Sequence, residues 1–196
     1  WGKTDLRYIS GAFRDNYLLK RVCSDPYNAL GNIDNLDQVF YRCSELEEIP
    51  EDVFKNCVNA HNAIETFNGC KSLTSIPEKI FANCRNLNHL HATFRNCSAL
   101  TEIPEDLFAN NPNIYEASYV FDNCDGITEI PSDLFKNNHE LESIYGLFQQ
   151  SDGFTSIPED LFAENTKLQI LEYAFNNCRG LTAIPDGLFR NNSDIK

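Results

Sequence analysis

The sequence predicts an α/β solenoid of six to seven coils, with short parallel strands on one face and short helices or 3-10 turns on the other. Three observations predict it. Ile-Pro pairs begin at residues 49, 76, 103, 130, 157 and 184, always 27 residues apart, and head the phrases IPEDVF, IPEKIF, IPEDLF, IPSDLF, IPEDLF and IPDGLF. A phenylalanine recurs at the same interval, at 13, 40, 67, 94, 121, 148 and 175. Between them apolar residues fall at every third place, which fits neither a long helix nor a long strand. Repetition this regular describes a chain whose units bury their apolar faces only against their neighbours.

Each recurring phenylalanine is slot 1 of a 27-residue coil, the first running from Phe13. Slot 4 is Cys43, Cys70, Cys97, Cys124 and Cys178, with Asn16 and Ser151 as the exceptions. Slot 7 carries Leu46, Leu73, Leu100, Ile127, Phe154 and Leu181, and slots 10 and 11 are the Ile-Pro pair. Pro suits the first turn of a helix, where its missing N–H costs nothing, and the acids after it suit the positive end of a helix dipole. IPEDLF is therefore expected to open a helix of about two turns, ended at slot 18 by an Asn in the left-handed conformation. Slots 21–26, as in LQILEY (168–173), are the strand candidate, stacked with a rise of about 4.8 Å per coil. The pattern Phe-x-x-(Cys/Asn)-x-x-aliphatic occurs twice per coil, from slots 1 and 15, so the two faces are expected to be alike.

The whole chain, 1–196, is expected to form one repeat domain. Residues 1–39 form a degenerate N-terminal capping coil, in which Val22-Cys23 replaces Ile-Pro and Pro26-Tyr27 replaces aliphatic-Phe. Regular repeats fill 40–196, the last coil being incomplete after Ile195. A start at Trp1 and the absence of Met suggest a processed or excised piece of a longer product, expected to be monomeric. A net charge of −13 and a pI near 4.6 argue against nucleic acid and anionic membranes, both of which need basic surface. No apolar run approaches the roughly 20 residues of a membrane span, so no direct membrane insertion is expected. Stability is expected from the array itself, each buried Leu, Ile or Phe contributing about 1.5–3 kcal/mol.

Seven of the eight cysteines occupy slot 4 or slot 18, where Asn or Ser stands in other coils. A residue that exchanges with Asn reads as a small buried packer, so a ladder of buried thiols is expected rather than a disulfide framework. His61, His89, His91 and His139 are the only histidines, and His89 and His91 alternate along one candidate strand. No carboxylate shares that strand, and zinc-type Cys and His spacing is absent, so no metal and no cofactor are expected. The acids at slots 12–13, such as Glu105 and Asp106, read as a solvated ridge. Serine-nucleophile, P-loop and dinucleotide signatures are missing, and no enzymatic activity is expected.

LTEIPEDLFANNPNI (100–114) resembles the LxxLPxxLFxxLxxL outer segment of leucine-rich repeats. TFRNCSALTEIP (93–104) is similar to the AFxxCxxLTxI phrase of the BspA-like repeats of bacterial surface proteins, notably in gut and oral Bacteroidetes. The resemblance covers 40–196 well and 13–39 loosely. It implies a leucine-rich-repeat solenoid in a secreted or cell-surface bacterial protein, serving binding or adhesion without catalysis. The implied ligand is a protein or a carbohydrate, host-derived ones included. The alternative is a spacer with no ligand of its own. Two departures stand out: the coil is longer than the commoner family repeat, and Pro follows the slot 10 Ile directly.

Slots 8–9 are monotonous (Thr74-Ser75, Thr101-Glu102, Thr128-Glu129), whereas slots 22, 23, 25 and 26 differ in every coil. Four of the eight tyrosines lie in these variable slots, in the last three complete coils. Tyr supplies large, rigid contact area with a polar tip. The candidate ligand-binding residues are therefore Tyr115, Glu116, Tyr119, Glu142, Tyr145, Glu172, Tyr173, His89 and His91. The four tyrosines are expected side by side in one aromatic patch, flanked by Glu116, Glu142 and Glu172.

Overall fold

The computed structural model describes residues 6–27 and 29–195. Residues 1–5 and 28 of the expected capping coil, and Lys196, lie outside the described residues. The chain winds into stacked 27-residue coils, and each regular coil contains two six-residue turn segments, as at 64–69 and 78–83. Both are built of i→i+3 turns. In the first, the N–H groups of Asn68 and Cys70 donate to the carbonyls of Glu65 (3.2 Å) and Phe67 (3.1 Å). In the second, Ile80 and Cys84 donate to Pro77 (3.1 Å) and Phe81 (3.0 Å).

The IPEDLF phrase thus opens a run of tight turns, not the expected two-turn α-helix. The reason lies in the period of three. A geometry near three residues per turn keeps slots 15, 18, 21 and 24 on one side, whereas an α-helix would rotate each third residue away by a further ~60°.

The expected strand at slots 21–26 contracts to a single paired residue. Asn35, Asn62, His89, Glu116, Ser143 and Ile170, all at slot 23, form a row of parallel bridges. The chain leaves the strand path because slot 26 is left-handed: Gln38, Glu65, Ala92, Tyr119 and Tyr173 have φ of 52–61°, and Gly11 and Gly146 have φ of 64° and 61°. Slot 3 is left-handed as well, at Asp15, Arg42, Gly69, Asn96, Asn123, Gln150 and Asn177. Hydrogen bonding between coils nevertheless continues through the turn. Ala63, Glu65, Phe67 and Gly69 donate to the carbonyls of His89, His91, Thr93 and Arg95 at 2.8–2.9 Å. The same four bonds recur at the following junctions.

Two columns of phenylalanine form the core. The slot 1 rings from Phe13 to Phe175 stack with centroids 5.4–5.8 Å apart. The slot 15 rings from Phe54 to Phe189 stack at 5.7–6.4 Å.

Beside each column runs a line of buried donors. At slot 4, the thiols of Cys43, Cys70, Cys97, Cys124 and Cys178 reach the slot 1 carbonyl of the preceding coil at 3.0–3.2 Å, and Ser151 Oγ does the same at 2.7 Å. At slot 18, Asn138 Nδ2 donates to the carbonyls of Phe108 (3.2 Å) and Asn111 (2.8 Å). Asn111, Asn165 and Asn192 repeat this arrangement. The expectation that slot 18 Asn closes a helix in the left-handed conformation is therefore corrected, since none of these residues has positive φ. They are rungs between coils, which is why Cys57 and Cys84 can take their place.

All eight cysteines are thiols, and only Cys23 is exposed. Burial pushes the Cys84 thiol up to about 12 and those of Cys43 and Cys178 up to about 11, which makes them poor nucleophiles.

In the first coil, which lacks the Ile-Pro pair, the turn is held by Asp25. Its buried carboxylate accepts the N–H groups of Ala29 (3.0 Å) and Leu30 (2.9 Å).

Candidate ligand-binding face

Slot 23 pairs with its neighbours and slot 26 turns left-handed, so slots 22–26 form a ridge that crosses every coil at the same place. On it, four rings from successive coils touch edge to face. His91 lies 5.6 Å from Tyr119, Tyr119 lies 5.2 Å from Tyr145, and Tyr145 lies 5.3 Å from Tyr173.

The row zigzags. His91 and Tyr145 come from slot 25, Tyr119 and Tyr173 from slot 26, and the other slot of each coil holds Ala92, Gly146, Ser118 or Glu172. Gly146 makes room for the row: a Cβ there would lie 2.6 Å from Tyr119 Cε1, and glycine takes without strain the positive φ, here 61°, that Ala92 and Tyr173 also adopt at the same slot. The hydrogen bond with Tyr119 keeps the Tyr145 phenol above its ordinary pKa, and Glu172 pushes the same way. Tyr115, 41 % exposed, packs instead against His89 at 5.7 Å. Three of the four expected tyrosines thus share one row, and the fourth packs at a tilt against a histidine.

Glu116 links the two histidines. Its Oε2 is 2.8 Å from His89 Nε2, its Oε1 is 3.8 Å from His91 Nδ1, and Oε1 accepts the Ser118 N–H at 2.8 Å. Burial alone would raise this carboxyl, but the bonds from His91 and Ser118 and the nearby His89 outweigh it and hold the pKa below the ordinary value. The carboxylate missing from the histidine strand is thus supplied by the next coil. Glu142 and Glu172 stand exposed beside the row.

Sequence reasoning missed the neighbouring residues at slots 2 and 3. Arg95 lies over the Tyr119 ring at 5.0 Å, and its Nε is 2.8 Å from the buried Asp122. Burial pushes the Asp122 carboxyl up, with Arg95 pulling it the other way. Arg14 lies in the same manner over Tyr41 at 4.7 Å, with Nε 3.3 Å from Asp15. An amide chain follows alongside, Asn123 donating to Asn96 (2.9 Å) and Asn96 to Asn68 (3.0 Å). The available signal was that slot 2 varies as much as the counted slots: Arg14, Tyr41, Asn68, Arg95, Asp122, Gln149.

Charge on slots 22, 23, 25 and 26 has one sign. In the six coils from Asp34 to Tyr173, Asp34, Asp37, Glu65, Glu116, Glu142 and Glu172 occupy them, and no Lys or Arg does. Among the described residues no three His, Cys, Asp or Glu side chains are grouped to hold a metal ion. No helix among them is long and apolar enough to cross a membrane.

Residues 26–196 match the family described as BspA type leucine-rich repeat region, in six copies. A leucine-rich-repeat protein of Leptospira interrogans is 16 % identical, with 86 % of this chain and 43 % of that chain covered and a TM-score of 0.45. A leucine-rich-repeat protein of Bacteroides ovatus is 20 % identical over 89 % of this chain and 57 % of that one, with a TM-score of 0.31. The Toll–Spatzle complex of Drosophila matches at 14 % identity over 98 % and 34 %, with a TM-score of 0.28. The chain spans less than two thirds of the length of each. No curated protein sequence matches it.

Proposed function

Because the chain belongs to the BspA-type leucine-rich-repeat family, whose repeats are typically interaction modules, we propose that it is a non-enzymatic binding module of a bacterial surface or secreted protein. It engages a macromolecular ligand through the ridge of slots 22–26, in the manner of an adhesin. One observation carries the reading. The positions that vary from coil to coil are those that bring His91, Tyr119, Tyr145 and Tyr173 into a contiguous row, and aromatic residues with polar tips are enriched at binding surfaces. A bare spacer would have no use for such a row, nor for a glycine shaped around one of its rings.

The test compares three proteins immobilised side by side: the chain itself, Tyr145→Ala with Tyr173→Ala, and Glu105→Ala with Glu159→Ala on the opposite ridge. Each is exposed to extracellular proteins and glycans. Ligands retained by the first should fall about tenfold or more on the second, as hot-spot residues do, and remain unchanged on the third. Loss confined to the third protein would move the site to the IPEDLF side, and no retention by any would leave the spacer reading.

A further inference from the structure

Resting on the reading that this ridge binds, we propose that its partner is a basic α-helical segment of another protein, laid along the solenoid axis with one helical turn over each coil.

Charge is the first argument. Some of the acids at slots 12–13 bring their own cations, Lys55 to Asp52 (3.0 Å), Lys136 to Asp133 (2.9 Å) and Arg190 to Glu159 (3.2 Å). On the ridge, Glu142 and Glu172 flank the ring row, and from Asp34 to Tyr173 no Lys or Arg stands at slots 22, 23, 25 or 26. A cationic partner would neutralise them and be steered in by the net charge of −13.

The second argument is a template inside the protein. Twice, a guanidinium of the chain lies over a tyrosine of this side with a carboxylate at its nitrogen: Arg95 over Tyr119 with Asp122, and Arg14 over Tyr41 with Asp15. Tyr145 and Tyr173 are the same kind of ring with acids, here the exposed Glu142 and Glu172, on the same ridge, and among the described residues no cation lies over either. What fits the first two seats fits the second two. Cation–π contact and ion pairing act there together.

Spacing supplies the shape. Rings at one slot, those of the slot 1 phenylalanines, repeat every 5.4–5.8 Å from coil to coil, and the zigzag row follows at 5.2 and 5.3 Å, close to the ~5.4 Å pitch of an α-helix. An extended strand presents same-side residues every ~6.7 Å and falls out of step within two coils. A helix with Arg or Lys at i, i+4 and i+7 keeps one cation per coil, while the exposed Ile170 beside the row receives the apolar stems.

The experiment titrates a labelled alanine-rich helix carrying Arg at i, i+4 and i+7 into the protein, with fluorescence anisotropy at low and high salt. A peptide of the same composition broken by two central prolines is the comparison. The helix should bind at least about tenfold more tightly than the broken peptide. Binding should weaken with salt and fall about tenfold or more in Tyr145→Ala with Tyr173→Ala. Glu142→Gln with Glu172→Gln should weaken binding and flatten its salt dependence. Circular dichroism of each variant establishes that it is folded. Equal binding of helix and broken peptide would overturn the helical geometry. Binding lost to Glu105→Ala with Glu159→Ala, and kept in the ring variant, would overturn both the partner and the ridge. If no basic peptide binds while the capture assay still shows ring-dependent retention, the basic helix falls and the ridge stands.

Discussion

Replacing Gly146 with Ala asks whether the aromatic row is built into the backbone or merely rests on it. A Cβ at this position would lie 2.6 Å from Tyr119 Cε1 and 2.7 Å from Cδ1, far inside contact distance, so the ring has to move. The backbone there has φ of 61°, which costs an L-residue roughly 1–2 kcal/mol. The displaced ring also gives up edge-to-face packing on Tyr145 and His91, and such pairs contribute roughly 0.5–1.5 kcal/mol each. On a half-exposed ridge the lower figures apply, for a sum of about 2–3 kcal/mol. Urea unfolding followed by circular dichroism reads this directly, and thermal melting should drop by roughly 4–10 °C at this chain length. In a Tyr119→Ala background there is no ring to displace, so only the backbone cost should remain. The double-mutant cycle should therefore show a coupling of about 1 kcal/mol or more. Equal costs in the two backgrounds would refute the idea that Gly146 makes room for Tyr119. A neutral Gly146→Ala would refute the left-handed turn as well.

Thiol titration of the native protein should read one accessible cysteine, Cys23, and all eight after unfolding without reductant; two or fewer after unfolding would mean disulfides. Asn138→Leu removes both bonds to the Phe108 and Asn111 carbonyls and should cost about 2–4 kcal/mol, since buried acceptors are left unsatisfied. Asn138→Cys should cost clearly less, because a thiol can reach the slot 15 carbonyl as Cys84 does and removes the unbonded Asn138 Oδ1; equal losses would contradict the rung argument. Glu116 has a folded pKa depressed below its usual 4.5, so the stability it adds is present above that value and disappears as pH falls through the lower folded one. Wild type and Glu116→Gln should therefore differ in urea midpoint by an amount that shrinks below about pH 4.5. A gap unchanged at about pH 3 would show that the carboxylate charge carries none of it.

The architecture was readable because burial leaves so little choice. A Phe that must stack on the Phe of the next coil cannot drift, so the period and the slots are written out in the residues. Helix and strand were not readable for a related reason. Apolar residues at every third place are compatible with any element that turns in about three residues, and nothing in Glu65, Tyr119 or Asn96 announces positive φ. Slot 18 Asn was misread because Asn serves equally well as a left-handed terminator and as a buried amide. Its exchange with Cys, which cannot do the former cheaply, was the clue. Of the candidate face, the variable slots were visible. The zigzag is also present in the adjacent pairs His91-Ala92, Ser118-Tyr119 and Tyr145-Gly146, but its meaning needs the rise between coils. Arg95 and Asp122, 27 positions apart, meet only once the coils are stacked.

The left-handed turns set the alphabet in which this surface can be rewritten. Across seven coils, slots 26 and 3 hold Gly, Gln, Glu, Ala, Tyr, Asp, Arg and Asn, and no Val, Ile or Thr. A β-branched side chain at positive φ is a severe strain, so mutation can sample those letters but folding removes them. What survives is weighted towards amides, acids, small residues and the unbranched aromatic, the types that form hydrogen bonds and stack. A lineage that diversifies this ridge therefore draws from a list already enriched in recognition chemistry, before any ligand has exerted selection. The backbone filters first and the partner chooses second.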